Sequence, residues 1–320
     1  MIAGTAPSID LIRLAQSTIR GRAVRTPLVR FDTEESDREI WLKLENLQPV
    51  GAFKTRGAEF LISQLAPGTL AKGLVTASAG NMAQAVAYSA RRLGVPCTVI
   101  VPDTAPEAKL AGIKRLGGKV VAVTFDRWWQ TLVDRGFPDV EGTFVHPFDD
   151  ERVMAGNGTI GLEILEDLPD VDAILVPWGG GGLSCGIAAA VSSVSPRTRV
   201  FATEIETAAP LEASLRAGTA TEVDYRPSFV DGIGSKTVVP HMLELATRYL
   251  AGSLVTSVSE TAMSVKLLAE RNRVVAEGAG AVPVAAARSG RVDGRRLVCV
   301  VSGGNIDSHK LTTILDGKVP

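Results

Sequence analysis

The chain has 320 residues, more than one ordinary core accommodates and enough for two modest domains. With 45% hydrophobic and 22% charged residues and a formal net charge of -1, it reads as a globular protein without the basic surface that nucleic acid requires. Cys97, Cys185 and Cys299 are few, odd in number and unclustered, which argues against a disulfide framework or a zinc site and for a reducing cytoplasm. No basic segment followed by an apolar core opens the chain, and no apolar run could span a bilayer, so neither a signal peptide nor membrane insertion is expected.

In chain order, Trp41–Glu45 has a strand pattern and leads through a turn, 46–49, into Gly51-Ala52-Phe53-Lys54-Thr55-Arg56-Gly57. This segment opens a helix, which places Lys54 at or near a helix N-terminus. The partial positive charge there disfavours an ammonium and makes Lys54 a plausible amine nucleophile toward a carbonyl cofactor. A nucleotide-binding P-loop is rejected, because that motif needs glycine where Phe53 stands. The residues alone also allow an ordinary solvated lysine on a first turn.

Strand and helix patterns then alternate: 73–77, 81–93, 97–101, 106–116 and 119–123. After the first of these strands, Thr76 to Gln84 (TASAGNMAQ) supplies small residues and the free N–H groups of a helix start, suited to a carboxylate. Plain helix capping by Ser78 is the alternative. Trp128-Trp129 falls in a later helix of this smaller unit, where packing, a subunit contact and the substrate mouth all stay open.

The strand 173–176 runs into Pro177-Trp178-Gly179-Gly180-Gly181-Gly182-Leu183. Each glycine costs roughly 0.5–1 kcal/mol of backbone entropy relative to alanine in a regular element. A run of them between strand and helix therefore suggests a loop whose N–H groups converge on an anion, most often a phosphate. A nicotinamide dinucleotide fits poorly, because the small residue its fingerprint requires would fall on Ser184 or Cys185, although Glu204 lies where a ribose partner is expected. Strands follow at 199–205 and 297–301, the last running into Ser302-Gly303-Gly304-Asn305. Strands apolar on both faces and separated by helices predict parallel sheets covered on both sides, in two α/β domains. The boundaries are placed near residues 46 and 150, giving a large domain from 1–46 with 151–320 and a small one from 47–150. Functional groups are then expected beyond the carboxyl ends of the strands. His146, His241 and His309 are scattered and read as structural or surface residues.

These four loops, in this order, resemble the fold-type II family of pyridoxal-phosphate enzymes, in its threonine/serine dehydratase and serine racemase branch. The resemblance spans about residues 26–305 and is densest over 144–186. It implies two doubly wound α/β domains, like those of the tryptophan synthase beta subunit, with pyridoxal 5'-phosphate in the cleft between them. Lys54 would carry the cofactor as a Schiff base and Phe53 would pack near its ring. Asn81 would meet its phenolic oxygen, Gly179, Gly180, Gly181, Gly182 and Leu183 its phosphate, and Ser302 its ring nitrogen. Glu277 would sit near the ring and Gly232 would line its face. The loop Ser78, Ala79, Gly80, Asn81 and Met82 would receive the substrate carboxylate. The implied reaction is β-elimination on a hydroxy-amino acid such as threonine or serine, giving a 2-oxo acid and ammonia. β-Replacement, racemisation or elimination from a specialised amino acid are the alternatives, and a homodimer is the implied assembly.

Three departures from the family pattern matter. Ala79 stands where racemases carry a proton-donating serine, and Met82 replaces a histidine, which makes the site less polar and suits a bulkier or more apolar substrate than serine. Glu204 and Ala208 match part of a divalent-cation site, but Pro210 stands at a further acidic position, so a bound metal is doubtful. The chain ends 15 residues after Asn305, so no C-terminal regulatory domain is expected.

Overall fold

The computed structural model describes residues 5–33 and 38–320. The chain begins with α1 (Ile9–Thr18), β1 (Leu28–Arg30), β2 (Glu39–Lys43) and a 3-10 turn at Glu45–Leu47. A smaller unit follows: α2 (Lys54–Ser63), α3 (Pro67–Leu70), β3 (Leu74–Ala77), α4 (Asn81–Leu93), β4 (Cys97–Pro102), α5 (Glu107–Arg115), β5 (Lys119–Val123), α6 (Phe125–Asp134) and β6 (Thr143–Phe144). The remainder comprises α7 (Glu151–Asp167), β7 (Ala173–Pro177), α8 (Gly182–Val194), β8 (Arg199–Ile205), α9 (Pro210–Ala217), α10 (Pro240–Tyr249), β9 (Gly252–Thr256), α11 (Val258–Asn272), α12 (Gly278–Arg288), β10 (Arg296–Val300) and α13 (Ser308–Leu315).

Two sheets result, a six-stranded one in the order β1-β2-β10-β7-β8-β9 and a four-stranded one in the order β5-β4-β3-β6. Among the described residues all pairings are parallel except that of β1 with β2, where Val29 faces Leu42 in antiparallel register. The all-parallel expectation therefore fails at one edge. β1 and β2 are too close in sequence for the crossover that a parallel pair needs, so they pair antiparallel.

The inner strands β3 and β7 are buried on both faces, as their unbroken apolar runs require, while the edge strands β1, β5 and β9 are only partly covered. In β7, Leu175 points toward Val265 and Val282 of α11 and α12. Its neighbours Ile174 and Val176 point the other way, onto Ile160 of α7 and Ile187 of α8. The small sheet is sandwiched in the same manner. Val99 and Val101 meet Ala58 and Val86 of α2 and α4, while Ile100 and Ala77 meet Leu132 of α6.

Candidate active site

The carboxyl ends of both sheets open on one cavity of about 550 Å³. On its wall lie Phe53, Lys54, Ser78, Ala79, Gly80, Asn81, Met82, Gly179, Gly180, Gly181, Gly182, Leu183, Gly232, Glu277 and Ser302. Residues more than two hundred positions apart thus meet because most follow a strand or open a helix at the same end of a parallel sheet, with Gly232 added from the loop between α9 and α10.

Lys54 is the first residue of α2. The preceding segment is tied to the end of β10: Phe53 N donates to Ser302 O at 2.9 Å, Gly304 N donates to Gly51 O at 2.9 Å, and Ala52 bridges Gly303. The Lys54 amine donates to Pro147 O, just beyond β6, at 2.6 Å and lies 4.9 Å from the Phe53 ring centroid. Burial pushes its pKa down to about 8, against the opposing pull of Glu277.

Glu277 is buried at the start of α12, with its pKa pushed up to about 7 by burial and then by Asp231. Its Oε1 accepts from Asn81 Nδ2 at 2.9 Å. Asn81 Oδ1 in turn accepts from Asn305 Nδ2 at 2.8 Å, which also donates to Val50 O at 2.8 Å. Asn305 therefore completes a polar chain across the cleft. Its segment stands out in the sequence without showing this task; its position three residues after Ser302 is the available signal.

The two loops expected to hold anions both precede uncapped helices. No side chain caps α4, whose N-cap residue is Gly80. Ser78 does not cap the helix; its Oγ accepts from Gly80 N at 3.2 Å. No side chain caps α8 either, and its N-cap, Gly181, has a φ of 90°. Both helix starts thus turn unsatisfied N–H groups and a positive dipole end to the cavity.

The glycine run has a further cause that the sequence did not disclose. A Cβ on Gly180 would lie 2.3 Å from Phe148 Cγ, one on Gly181 2.6 Å from Trp178 Cη2, and one on Gly182 2.5 Å from Phe148 O. Three of these glycines are demanded by protein neighbours. Only Gly179, with nothing nearer than 3.7 Å, has room for a side chain.

Two residues left open by the sequence, Glu204 and Ala208, lie away from the cavity. Glu204 accepts from Leu211 N and Glu212 N, both at 2.8 Å, and from Ser253 Oγ at 2.7 Å, so it serves as the cap of α9. Ala208 lies in the adjoining turn, where its N–H donates to Ile205 O and its carbonyl is left out of that bond. Among the described residues no group of three or more His, Cys, Asp or Glu side chains is placed to hold a metal ion. Of the histidines, His146 is buried and its Nδ1 accepts from Phe148 N and Asp149 N, while His241 Nε2 lies 2.7 Å from Asp149 Oδ1.

Beneath Lys54 lies a buried ionic cluster that the sequence pattern does not reveal. Arg56 Nε donates to Glu45 Oε2 at 2.8 Å and Arg56 Nη1 to Glu163 Oε1 at 2.7 Å. Lys43 Nζ donates to Glu163 Oε2 at 2.6 Å. The cluster fastens α2, the helix that carries Lys54, to β2 and α7.

Residues 19–303 match the family described as pyridoxal-phosphate dependent enzyme. The chain belongs to this family. It is 40% identical over 314 residues to the L-threonine ammonia-lyase of Thermotoga maritima, covering 97% of this chain and 78% of that one. It is 38% identical over 315 residues to the catabolic L-threonine dehydratase of Escherichia coli, covering 96% and 95%. Among solved structures, maize serine racemase superposes with a TM-score of 0.88 at 29% identity, covering 98% of each chain. The serine racemase of Dictyostelium discoideum superposes with a TM-score of 0.86 at 31% identity, covering 95% of this chain and 100% of that one.

The cavity has the donor set that pyridoxal phosphate needs: an amine of lowered pKa for its aldehyde, and a glycine cradle at an uncapped helix start for its phosphate. A second uncapped helix start is available to a substrate carboxylate.

Proposed function

We propose that this chain is a pyridoxal-phosphate-dependent ammonia-lyase that eliminates water from a hydroxy-amino acid such as threonine or serine, releasing a 2-oxo acid and ammonia. The observation that carries the proposal is a desolvated Lys54 amine in one cavity with two uncapped helix starts. The threonine ammonia-lyase and dehydratase relatives support the choice of reaction.

In this reading, Lys54 is the residue that carries the cofactor. The loop 179–183 holds its phosphate, and Ser302, Glu277, Asn81, Phe53 and Gly232 surround its ring. Bound there, the cofactor supplies a ring that withdraws electrons from the α-carbon of an attached amino acid. Lys54 takes the α-proton, which its lowered pKa permits near neutral pH. The N–H groups that open α4 hold the substrate carboxylate and fix which bond at the α-carbon faces Lys54. Ala79, on the same loop, has no proton to return, which favours elimination over racemisation. A hydroxyl at Ser302 is a weak partner for a ring nitrogen and favours rapid loss of a β-leaving group over a long-lived carbanion.

We place the two domains at 1–46 with 151–320 and at 47–150. We also propose a homodimer in the cytoplasm. The free, buried thiols of all three cysteines fit a reducing compartment, and no described helix is long and apolar enough to cross a membrane. Sedimentation of the purified protein tests the dimer.

For the activity, the purified holoenzyme should absorb in the visible range, and borohydride should abolish that band. It should release 2-oxo acid from threonine or serine. A Lys54→Ala variant that still bound the cofactor covalently, or the absence of 2-oxo acid from either substrate, would overturn the reading.

A further inference from the structure

The outer wall of the cavity is more apolar than a threonine- or serine-sized substrate requires. A single residue, Thr124, separates the end of β5 from the start of helix α6, whose first turns set Phe125, Trp128 and Trp129 on the cavity. Trp128 also packs inward against the cluster of Ala77 and Ile100, at the end of the strand that carries the Ser78 loop. Its ring is 5.5 Å from that of Phe125 and 6.4 Å from that of Trp129, so the three form one continuous aromatic surface. Phe125 and Trp129 remain 58% and 42% exposed, and Tyr225, also on the cavity but from the large domain, is 44% exposed.

Large aromatic side chains gathered in one cleft and left open to water gain their burial energy only when a ligand covers them. The charged groups at this mouth do not compete for that role. Lys109 and Asp231 pair with each other at 3.1 Å, and Lys310 holds Asp231 at 3.3 Å. Ala79 and Met82, on the carboxylate loop itself, extend the apolar character inward along the cavity.

We infer that the substrate bears an apolar, most favourably aromatic, group on its β-carbon, and that Phe125, Trp129 and Tyr225 receive it. This rests on the elimination reading above and specifies its substrate class: 3-hydroxy-amino acids larger than threonine, of the type of L-threo-3-phenylserine. The reaction balances without any redox step. The Cα–H and Cβ–O bonds break and water leaves; addition of one water to the resulting enamine then releases ammonia and the 2-oxo acid.

The test compares 2-oxo acid release by the holoenzyme from L-threo-3-phenylserine, L-threonine and L-serine. Phenylserine should exceed threonine in kcat/KM by about tenfold or more, since even single methylene differences in an apolar pocket reach that range. Trp129→Ala and Phe125→Ala, both at exposed positions, should each lower the phenylserine-to-threonine ratio about tenfold, chiefly through KM. A second readout needs no elimination. Quenching of tryptophan fluorescence should half-saturate at a concentration about tenfold lower for L-phenylalanine than for L-alanine, neither of which has a β-leaving group. Preference for threonine, an unmoved ratio in both variants, or equal affinity for the two unreactive amino acids overturns the inference. Tighter binding of phenylalanine without 2-oxo acid from any substrate overturns the elimination reading and leaves the aromatic wall assigned.

Discussion

The carboxyl of Glu277, at the head of α12, accepts the side-chain amide of Asn81, at the head of α4, across 2.9 Å of the cleft. This contact joins a helix of the small sheet to a helix of the large one on the wall of the cavity. Its acceptor is a carboxyl that burial holds well above the usual carboxylate range.

This shift sets a pH dependence whose sign can be worked out. The Glu277 carboxyl has its pKa pushed up from 4.5 to about 7, by burial first and Asp231 second. Between those values the folded protein holds a proton that the unfolded chain has released, so stability falls as pH rises through the window and is flat above it. The shift corresponds to about 3 kcal/mol at most. In the cofactor-free protein, the loss of stability between pH 5 and pH 8 should be smaller in Glu277→Gln by a sizeable part of that amount. Urea unfolding at both pH values measures it, and parallel slopes in the two proteins would falsify the assignment.

Lys54 should show its lowered pKa in how it captures the cofactor. An ordinary lysine reaches its reactive neutral form only near 10.5, whereas Lys54 does so near 8. The rate at which cofactor-free protein gains visible absorbance from pyridoxal phosphate should rise with pH and level off above about 8. A rise that continues to 10 or beyond would show Lys54 to be solvated rather than desolvated.

Much of this site was legible in the sequence because its residues announce themselves locally. Lys54, Ser78 to Met82 and the run from Gly179 each follow a strand pattern and open a helix, and parallel-sheet topology places such segments at one edge. What stayed hidden depends on contacts far apart in the chain. Nothing near Arg56 signals that Glu45 and Glu163 enclose it. Nothing near Gly182 signals that Phe148, 34 positions earlier, lies against it. Glu204 shows the converse: an acid at the end of a strand resembled a ligand, while its oxygens cap the helix that begins a few residues later. The edge pair β1–β2 was missed for a related reason, since a three-residue strand carries too little pattern to reveal its direction.

The glycine loop allows packing to be separated from ligand contact. Gly182→Ala would drive a Cβ to 2.5 Å from the Phe148 carbonyl oxygen, which is backbone and cannot swing aside. Overpacking of this kind costs typically about 1–3 kcal/mol. Gly179→Ala meets nothing closer than 3.7 Å and faces the cavity. The expectation is a lowered unfolding midpoint for Gly182→Ala without cofactor. Gly179→Ala should keep its cofactor-free stability within about 0.5 kcal/mol yet bind pyridoxal phosphate more weakly. Loss of stability in Gly179→Ala, or unchanged cofactor affinity, would count against a phosphate seat at that position.

Arg56 offers the largest single effect on stability. Its guanidinium forks onto both Glu45 and Glu163, and all three groups, with Lys43, are buried. Removing the arginine leaves two buried carboxylates facing one ammonium. Breaking a buried pair in this way costs roughly 3–5 kcal/mol, because the stranded charge is not resolvated. Lysine would not rescue it, since a single ammonium cannot present the two parallel pairs of donors that a guanidinium does. Arg197 provides the contrast: its pair with Asp170, at 3.4 Å, is between exposed side chains and should contribute under about 1 kcal/mol. Arg56→Met and Arg56→Lys should therefore both lower the thermal midpoint by on the order of 10 °C, with Arg197→Ala close to wild type. Because Arg56 lies two residues after Lys54 on α2, the lysine variant, if folded, should also show a displaced visible band when loaded with cofactor. A variant with wild-type melting would mean that the cluster relaxes around the missing charge and that α2 is held by its apolar contacts alone.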